Sequence, residues 1–283
     1  MKRDEQMERL HDILLGAERL LDPQVQGPGA GLRERIEQVI ERGWDSSSAA
    51  LDSAGAAGAT APAPDPVPAA PPSDPESAAP PRSPLDPDQR RARLEELRRQ
   101  ILVCESCPLA LGRSNAVPGE GVLDPLVMVV GEGPGYNEDQ QGRPFVGKAG
   151  QYLDAWLESI GLHRERNAFI ANIVKCRPPN NRDPKPEESD ACAPYLREQI
   201  ALVQPRLIMT VGRISTRILT GATQGITRIH GTFYRYEGIP LVPTFHPSAV
   251  LRNQDYRRPV WEDLKKIRNW LIDNAGHQTD GSD

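Results

Sequence analysis

Apolar residues recur at helical spacing in two short segments near the start of the chain. They occupy positions 7–21 and 32–40, where charged residues separate the members of one apolar face. Two such segments bury too little apolar surface to form a core of their own. We therefore predict that residues 1–44 form a helical hairpin or a docking element. Helices that fray because they have no partner are the alternative.

Residues 45–89 contain almost nothing that a core could bury. Ala, Pro, Ser and Asp dominate, and the segment holds eleven of the 28 prolines. A segment of this composition cannot offset the entropy lost on ordering, so we predict a disordered tether, partly in the polyproline conformation. The tail at 275–283 is predicted to be disordered as well.

The pattern changes near residue 90 to apolar runs that alternate with helical patterns. A charged helix at 88–103 comes first. The apolar runs lie at 126–131, 168–174, 206–212 and 239–245, and further helical patterns lie at 148–161, 186–203, 213–219 and 259–272. Continuous apolar strands in alternation with helices are typical of a parallel sheet covered on both faces. We therefore predict for residues 90–274 a three-layer α/β/α domain around a mostly parallel sheet of four strands.

Composition and charge argue against two classes of protein. No stretch approaches the roughly 18 uninterrupted apolar residues of a membrane span, and the first residues mix charged with apolar side chains, unlike a signal peptide. We therefore expect a soluble protein of the cytoplasm that has no membrane partner. The net charge of -5 belongs to the tails, because residues 101–276 carry 21 basic and 19 acidic side chains. A domain with this balance is compatible with nucleic acid as a partner.

All four cysteines fall within the predicted α/β domain. Cys104 and Cys107 form a C-x2-C motif, and Cys176 and Cys192 follow at wider spacing. So few cysteines do not form the disulfide framework of a secreted protein, whereas four soft thiolates suit tetrahedral zinc or an iron–sulfur cluster. Their spacing does not distinguish zinc from a cluster, and inert buried thiols are the third alternative.

The most informative loop follows the first apolar run. Residues 131–150 read GEGPGYNEDQQGRPFVGKAG, and loops at the carboxyl ends of parallel strands are where α/β domains bind ligands. The loop lacks the order of a Walker phosphate-binding motif, which argues against nucleotide binding. Its glycines permit a close approach of the backbone to a flat ligand, and Phe145 offers that ligand a stacking face. A place in the core is the alternative for Phe145.

Polar residues interrupt or follow three of the predicted strands. Asn172 lies inside an apolar run, where its amide needs partners for both its carbonyl and its NH2 group, which suits recognition of the edge of a base. His246 follows the last strand, and Glu132 follows the first. A lone histidine is usually structural, but three polar residues at three strand ends favour a functional site. A second histidine, His230, lies in a loop, where we expect a solvated side chain.

Five motifs in this order resemble those of the family 4 uracil-DNA glycosylases, the iron–sulfur enzymes of that group. They are GEGPG, GRPFVGKAG, NIVKCRPP, the spacing of the four cysteines, and HPS, and the resemblance covers residues 94–271. It implies hydrolysis of the N-glycosidic bond between uracil and deoxyribose, in the cytoplasm or nucleoid of a bacterium or archaeon. It also implies a 4Fe–4S cluster, with a structural role as the simplest one, held by Cys104, Cys107, Cys176 and Cys192.

The resemblance assigns roles to residues of the loop and the strand ends. Uracil flipped out of DNA stacks on Phe145, pairs through its edge with Asn172, and receives a hydrogen bond at O2 from His246 as it leaves. Glu132 joins Asn172 and His246 as a predicted catalytic residue. The pocket is completed by Gly131 and Gly133.

Outside the pocket, the resemblance implies contacts with uracil-containing DNA, single- or double-stranded. The residues expected to press the DNA backbone and fill the gap left in the stack are Pro247, Ser248, Leu251 and Arg252. The tether suggests that residues 1–44 recruit a repair or replication protein. We expect the chain to be a monomer.

One departure from family 1 enzymes concerns the first motif. Those enzymes carry there an aspartate that positions water and a tyrosine that blocks the methyl group of thymine, whereas this chain has Gly133 and Gly135 at the corresponding places. Glu138 resembles the residue with which family 4 blocks the methyl group. The residue that activates water is not identifiable from the sequence.

Other functions are compatible with the same residues. A related glycosylase acts on another deaminated base such as hypoxanthine. A non-catalytic module binds DNA through an iron–sulfur or zinc centre and releases no base. A replication scaffold built around the tether is a further alternative.

Overall fold

A computed structural model describes residues 83–275 of the chain. The predicted helices of residues 1–44, most of the tether at 45–89 and all but the first residue of the tail lie outside these residues. Within them, no helix combines the length and the hydropathy of a transmembrane segment.

One sheet of six strands forms the centre of the described domain, in the order β1-β3-β2-β4-β6-β5. The strands are β1 (Glu120–Gly121), β2 (Val127–Gly131), β3 (Ala168–Asn172), β4 (Leu207–Val211), β5 (Tyr234–Tyr236) and β6 (Ile239–Thr244). The four predicted apolar runs form β2, β3, β4 and β6, which are parallel to one another. The edge strands β1 and β5 pair antiparallel and were not predicted, because strands of two and three residues show no apolar run.

Eight α-helices surround the sheet in the part of the chain that the structure describes. They are α1 (Pro87–Leu102), α2 (Tyr136–Gln141), α3 (Lys148–Ser159), α4 (Pro186–Val203), α5 (Arg213–Thr220), α6 (Ile226–Ile229), α7 (Pro247–Arg252) and α8 (Arg257–Asp273). The predicted helices correspond to α1, α3, α4, α5 and α8. Helices α2, α6 and α7 were missed, because four to six residues are too few to show a helical period.

The helices cover both faces of the sheet, which confirms the predicted three-layer α/β/α architecture. On one face, α1 and α4 pack against each other and contribute Leu97, Ile101 and Ile200 to a core that includes Met128 and Phe169 of the sheet. Alternate strand residues point to the opposite face, and α8 contacts β6. The parallel strands end at one common edge, where α/β domains place their ligands.

Helix α1 begins inside the segment predicted as tether. Asp86 caps it by accepting hydrogen bonds from the amides of Asp88 and Gln89, at 2.9 and 2.8 Å, and Pro87 fits the first helical position. The sequence carried a signal for this helix start, a polar capping residue followed by proline, within the segment that we predicted as tether.

A buried arginine holds α1 against the rest of the domain. Arg90 is 4% exposed. Its two terminal nitrogens donate to the carboxylate of Asp124, at 3.0 and 2.8 Å, and one also donates to the carbonyl oxygen of Leu202, at 3.1 Å. A two-pronged contact of this kind fixes orientation as well as position.

We expect Asp124→Asn to reduce the free energy of unfolding by about 1–3 kcal/mol, because it removes the countercharge of a buried guanidinium. Asparagine keeps the shape and tolerates the φ of 51° at this position. Urea denaturation measures the change. Glu198→Gln is the matched control, since it breaks the Arg93–Glu198 pair, whose side chains are 40% and 33% exposed, and should cost less than about 1 kcal/mol. Equal reductions in the free energy of unfolding in the two variants contradict the conclusion that Arg90 holds α1 against the rest of the domain.

Candidate active site and cysteine cluster

The candidate pocket begins where β2 and β3 end side by side. Gly131 and Asn172 are register partners at the last positions of these strands. A Cβ atom built on Gly131 lies 2.4 Å from Oδ1 of Asn172 and 2.6 Å from the ring of Phe145. Only glycine permits this approach, so the structure brings Gly131, Phe145 and Asn172 into one compact group.

Asn172 carries a polar atom that the surrounding protein does not satisfy. The residue is 2% exposed, and its Oδ1 is buried without a hydrogen-bond partner in the described part of the chain. An unsatisfied buried acceptor costs about 1–3 kcal/mol and is rare in folded proteins. Such an atom at the end of a strand is suited to accept a hydrogen bond from a ligand.

Phe145 forms a wall of the same pocket. It is 5% exposed, and its ring centroid lies 5.8 Å from that of His246. Its φ of 52° lies in the left-handed region, which is uncommon for a bulky residue. Residues with such backbone angles cluster at binding and active sites. Phe145 is thus buried, as expected if it were a core residue. It also lies next to Gly131, which adjoins Asn172, and next to His246.

Arg164 fixes the backbone of Phe145 and was missed by the sequence analysis. It donates to the carbonyl oxygens of Pro144 and Phe145, at 3.1 and 3.0 Å, and pairs with Asp154 and Glu120. Its side chain is only 12% exposed. Arg164 lies in a connection between α3 and β3, far along the chain from Phe145, and no motif there signals its role.

Gly150 provides a second constraint on this backbone. A Cβ atom at Gly150 lies 1.9 Å from the carbonyl oxygen of Phe145, so any side chain here displaces the loop. The last glycine of the GRPFVGKAG motif therefore serves close packing of the loop against α3.

Glu138 uses its carboxylate to hold the loop between β2 and α3. One oxygen accepts from the amides of Val146 and Gly147, at 2.9 and 3.0 Å, and the other accepts from the amide of Gly135, at 3.1 Å. The carboxylate thus closes the loop around α2. Its predicted role in blocking the methyl group of thymine stays a prediction.

Glu132 follows β2 directly and is half-buried. Burial raises its pKa to about 7, repulsion from Asp183 acts in the same direction, and Arg213 opposes both. A carboxyl group with this pKa exchanges its proton near neutral pH. Asp183 and Arg213 form an ion pair at 2.6 Å, which joins the loop after β3 to the first residue of α5. Gly133 approaches the same loop closely, since a Cβ there lies 2.8 Å from Val174.

His246 caps the N-terminus of α7, and its hydrogen bonds fix its tautomer. The amide of Ser248 donates to Nδ1 at 3.1 Å, and the Ser248 hydroxyl lies 2.8 Å from the same atom. Because Nδ1 accepts, the proton of the neutral ring is on Nε2. Burial, assisted by the charge of Arg252 and opposed by Glu138, lowers the pKa of His246 to about 4. Gly212 lies directly behind it, with a built Cβ 3.1 Å from the Cβ of His246.

Helix α7 exposes only part of the surface that was expected to meet DNA. Leu251 is 47% exposed and Arg252 is exposed as well. Pro247 and Val250 are buried, and Ser248 is half-buried and bonded to His246. Pro247 therefore starts the helix rather than offering a surface, because proline suits the first helical position.

The interpretation of His230 as a solvated loop residue is wrong. Its Nδ1 lies 3.0 Å from the carboxylate of Asp263, which is 1% exposed and also accepts from the Thr244 hydroxyl at 2.7 Å. The ring packs on Phe245 at a centroid distance of 4.9 Å. The partner lies 33 residues away in α8, so the local sequence carried no signal of it.

The four cysteines line one common cavity, together with Arg113, Lys175 and Tyr195. Cys176 and Cys192 are buried, Cys104 and Cys107 are half-buried, and none forms a disulfide. Among residues 83–275, no three His, Cys, Asp or Glu side chains are placed to hold a single metal ion. The structure thus brings all four predicted ligands around one space, rather than onto one point.

Two cations accompany the thiols. Arg113 donates to Sγ of Cys176 at 3.0 Å and to the carbonyl oxygen of Cys104 at 2.7 Å. The amide of Lys175 donates to Sγ of Cys192 at 3.3 Å. Burial raises the pKa of Cys192 to about 11, with the charge of Lys175 opposing. A buried thiol with this pKa stays protonated at neutral pH unless a metal centre binds it as the thiolate.

Comparison with known proteins assigns a family. The family model described as the Uracil DNA glycosylase superfamily matches residues 118–265. The chain belongs to this superfamily. A type-4 uracil-DNA glycosylase of Sulfurisphaera tokodaii is 45% identical over 188 residues, covering 63% of this chain and 85% of the relative. A type-4 uracil-DNA glycosylase of Thermotoga maritima is 42% identical over 186 residues, covering 64% and 96%.

A more distant relative belongs to another type of the superfamily. The type-5 uracil-DNA glycosylase of Pyrobaculum aerophilum is 34% identical over 177 residues, covering 56% of this chain and 76% of the relative. The higher identity to the type-4 proteins confirms the resemblance that the five motifs indicated. All of the predicted pocket residues fall within the span matched by the superfamily model, as do Cys176 and Cys192, whereas Cys104 and Cys107 precede it.

We expect nitrogen NMR of this glycosylase-family protein to show His246 as the neutral Nε2–H tautomer at pH 7 and still neutral at pH 5, since its pKa is about 4. A histidine in the unfolded chain has a pKa of about 6.5. As the pH falls from 6.5 to 4, the unfolded chain therefore binds this proton before the folded protein does. His246 accordingly lowers the free energy of unfolding as the pH falls through that range.

Ser248→Ala is the control for the tautomer. It removes the hydroxyl but leaves the amide that donates to Nδ1 of His246, so the tautomer should not change. A ring that titrates near pH 6.5, or a proton on Nδ1, contradicts the assignment.

Proposed function

We propose that this protein is a uracil-DNA glycosylase that hydrolyses the N-glycosidic bond of uracil in DNA, leaves an abasic site, and thereby repairs deaminated cytosine. The observation that carries the proposal is the buried, unpaired Oδ1 of Asn172, held against Gly131 and Phe145 at the edge of the sheet where the family model matches. The type-4 proteins to which the chain is similar support the same activity.

Asn172 is suited to distinguish uracil from cytosine. Uracil carries a hydrogen on N3, next to an acceptor oxygen at position 4, whereas cytosine has an unprotonated N3 and an amino group. In our proposal the Oδ1 of Asn172 accepts from N3–H and the side-chain NH2 donates to O4. Cytosine reverses this pattern and leaves both groups of a buried amide unpaired, which is the most effective basis for rejection.

Phe145 supplies the stacking face for the flipped base. A base within a duplex is out of reach, so the enzyme pays an unstacking cost of a few kcal/mol, which is smallest at a mismatch. The ring of Phe145 is buried and Arg164 holds its main-chain oxygen, so little side-chain freedom is lost when the base stacks on it.

His246 stabilises the departing base. As the bond to the sugar breaks, negative charge develops on O2 of uracil, and a fixed donor aimed at that atom lowers the barrier. The ring is neutral and carries its proton on Nε2, while Nδ1 is committed to Ser248. In our proposal His246 therefore acts by donating a hydrogen bond, without transferring its proton.

Glu132 is assigned to the sugar side of the reaction. Glycosidic bonds break through a transition state with positive charge on the sugar, and a carboxylate stabilises that charge or accepts a proton from the attacking water. Its pKa of about 7 leaves a substantial ionised fraction at neutral pH. Leu251 and Arg252, the exposed residues of α7, are assigned to the gap in the base stack and to a phosphate, respectively.

We further propose that Cys104, Cys107, Cys176 and Cys192 hold a 4Fe–4S cluster. The donor set fits, because four thiols surround one cavity, and a cluster takes its ligands on separate iron atoms rather than at one point. When bound, the cluster supplies folding energy to the segments it links: the loop before β1, the end of β3, and α4. The type-4 relatives support this choice over zinc.

The proposal places the enzyme on uracil-containing DNA in the cytoplasm. A monomeric state and recruitment of a repair or replication protein by residues 1–44 stay predictions, and the latter falls outside the described residues.

Uracil release from a U·G duplex, scored by alkaline cleavage at the abasic site, tests the activity. We expect release by the wild type, and for Asn172→Ala a fall in kcat/KM on the order of 100-fold or more, because the recognition of the base edge is lost. Asn269→Ala, which truncates an exposed asparagine of α8, is the matched control and should retain full activity.

Two results contradict this assignment. Release of hypoxanthine but not uracil from matched duplexes identifies a glycosylase for another base. Tight binding of the duplex without release of any base identifies a binding module.

Iron and sulfide analysis of anaerobically purified protein tests the cluster. We expect about four iron atoms per chain with a broad visible absorption band, and loss of both in Cys192→Ser. Asp190→Asn, an exposed position on the same helix, is the control and should keep its iron. One zinc per chain and a colourless protein contradict the cluster.

A further inference from the structure

Lys175 is a fully buried lysine between the two sites. It is 1% exposed, and its ammonium donates to the main-chain oxygen of Asn172 at 2.9 Å and to Oε1 of Gln199 at 2.6 Å. Both acceptors are neutral. None of the ion pairs found between residues 83 and 275 includes Lys175. The chemistry of the pocket described above does not use this residue.

A buried ammonium needs a countercharge. Burial of an unpaired charge is costly, and charged side chains are almost never fully buried unless they are paired. The groups next to Lys175 that can become negative are thiols: the residue lines the cavity of the four cysteines, and its main-chain amide donates to Sγ of Cys192. Thiolates bound to a metal centre would supply the negative countercharge that no carboxylate in the described domain provides to this ammonium.

The other end of the contact reaches the pocket. Asn172 is the residue whose Oδ1 is left unpaired at the pocket, and Lys175 holds its main-chain oxygen. Gln199, the second acceptor, lies on α4, the helix that also carries Cys192. The Gln199 side chain in turn donates to the carbonyl oxygen of Pro118 at 2.5 Å. Lys175 thus joins the end of β3 to the helix of a cysteine ligand.

We propose that Lys175 is a positioning residue that couples the cysteine-held metal centre to base recognition. The negative centre retains the ammonium, and the ammonium fixes the main chain of Asn172 so that its side-chain amide faces the base. This inference rests on the proposed function for its meaning, but its contacts can be tested separately. It gives the metal centre an influence on the pocket without any part in the reaction.

The test compares Lys175→Met with Arg113→Met in the metal-loaded full-length protein. Methionine keeps most of the length of lysine but not its charge. Arg113 contacts Cys176 and Cys104 but has no contact with Asn172, so it serves as the matched comparison. Three quantities are measured: the rate of iron loss to a chelator, the Kd for free uracil, and the NMR signals of the Asn172 side-chain amide.

We expect both variants to lose iron faster than the wild type, since each removes a cation beside the thiolates. Only Lys175→Met should also shift the Asn172 signals and weaken the binding of uracil, on the order of tenfold, because a hydrogen bond from a charged donor is lost. Lys175→Arg keeps the charge but changes the geometry, so it should retain iron as the wild type does and still shift the Asn172 signals. This variant decides the question should the methionine variant not fold.

Specific results overturn the inference. If Lys175→Arg loses iron as fast as Arg113→Met, the positive charge at position 175 does not retain the metal centre. Shifted Asn172 signals in Lys175→Met with unchanged iron retention show that Lys175 acts without the metal centre. If the wild type releases no uracil from the duplex, the proposed function fails, while iron retention and the Asn172 signals still decide whether the coupling exists.

Discussion

The candidate site depends on one close approach, between the ends of the adjacent strands β2 and β3. Gly131 has no side chain, so the amide of Asn172 and the ring of Phe145 occupy the space that a Cβ atom would take. Oδ1 of Asn172 is buried at this approach and accepts no hydrogen bond from the described part of the chain. The domain carries the cost of that unpaired atom in its free state, and a ligand with a matching donor recovers it.

Such a site is stable only if its walls cannot collapse onto the unpaired group. The loop that carries Phe145 is held at three points: by the carboxylate of Glu138, by the guanidinium of Arg164, and by the close contact with Gly150. Each of these contacts is made to main-chain atoms, so they fix the loop and leave the ring of Phe145 free to face a ligand. The pocket is thereby shaped before a base enters it, which reduces the entropy lost on binding.

The features that were predicted are visible in a few neighbouring residues, whereas those that were missed depend on contacts between residues distant in sequence. The parallel strands were predicted because apolar runs are local, and Asn172 and His246 stood out because a polar residue at a strand end is local too. Arg164 and the His230–Asp263 pair were missed, since their partners lie 19 and 33 residues away. Lys175 offered a signal that was not used: a lone charge between an apolar run and a cysteine.

The same reasoning supports the metal centre that we propose for this part of the fold. Beyond Asn172, the amides of Ile173 and Val174 still donate to the carbonyl oxygens of Gly131 and Glu132, at 2.9 and 3.1 Å, and the chain then leaves the sheet towards Cys176. Cys176 lies four residues beyond Asn172, and its thiol shares a cavity with the thiols of the chain before β1 and of α4. In our proposal, a centre bound there links three segments that are distant in sequence to β3, the strand that carries Asn172. Lys175 precedes Cys176 in the chain and holds the main-chain oxygen of Asn172, so in our proposal it connects the charge of that centre to the position of Asn172.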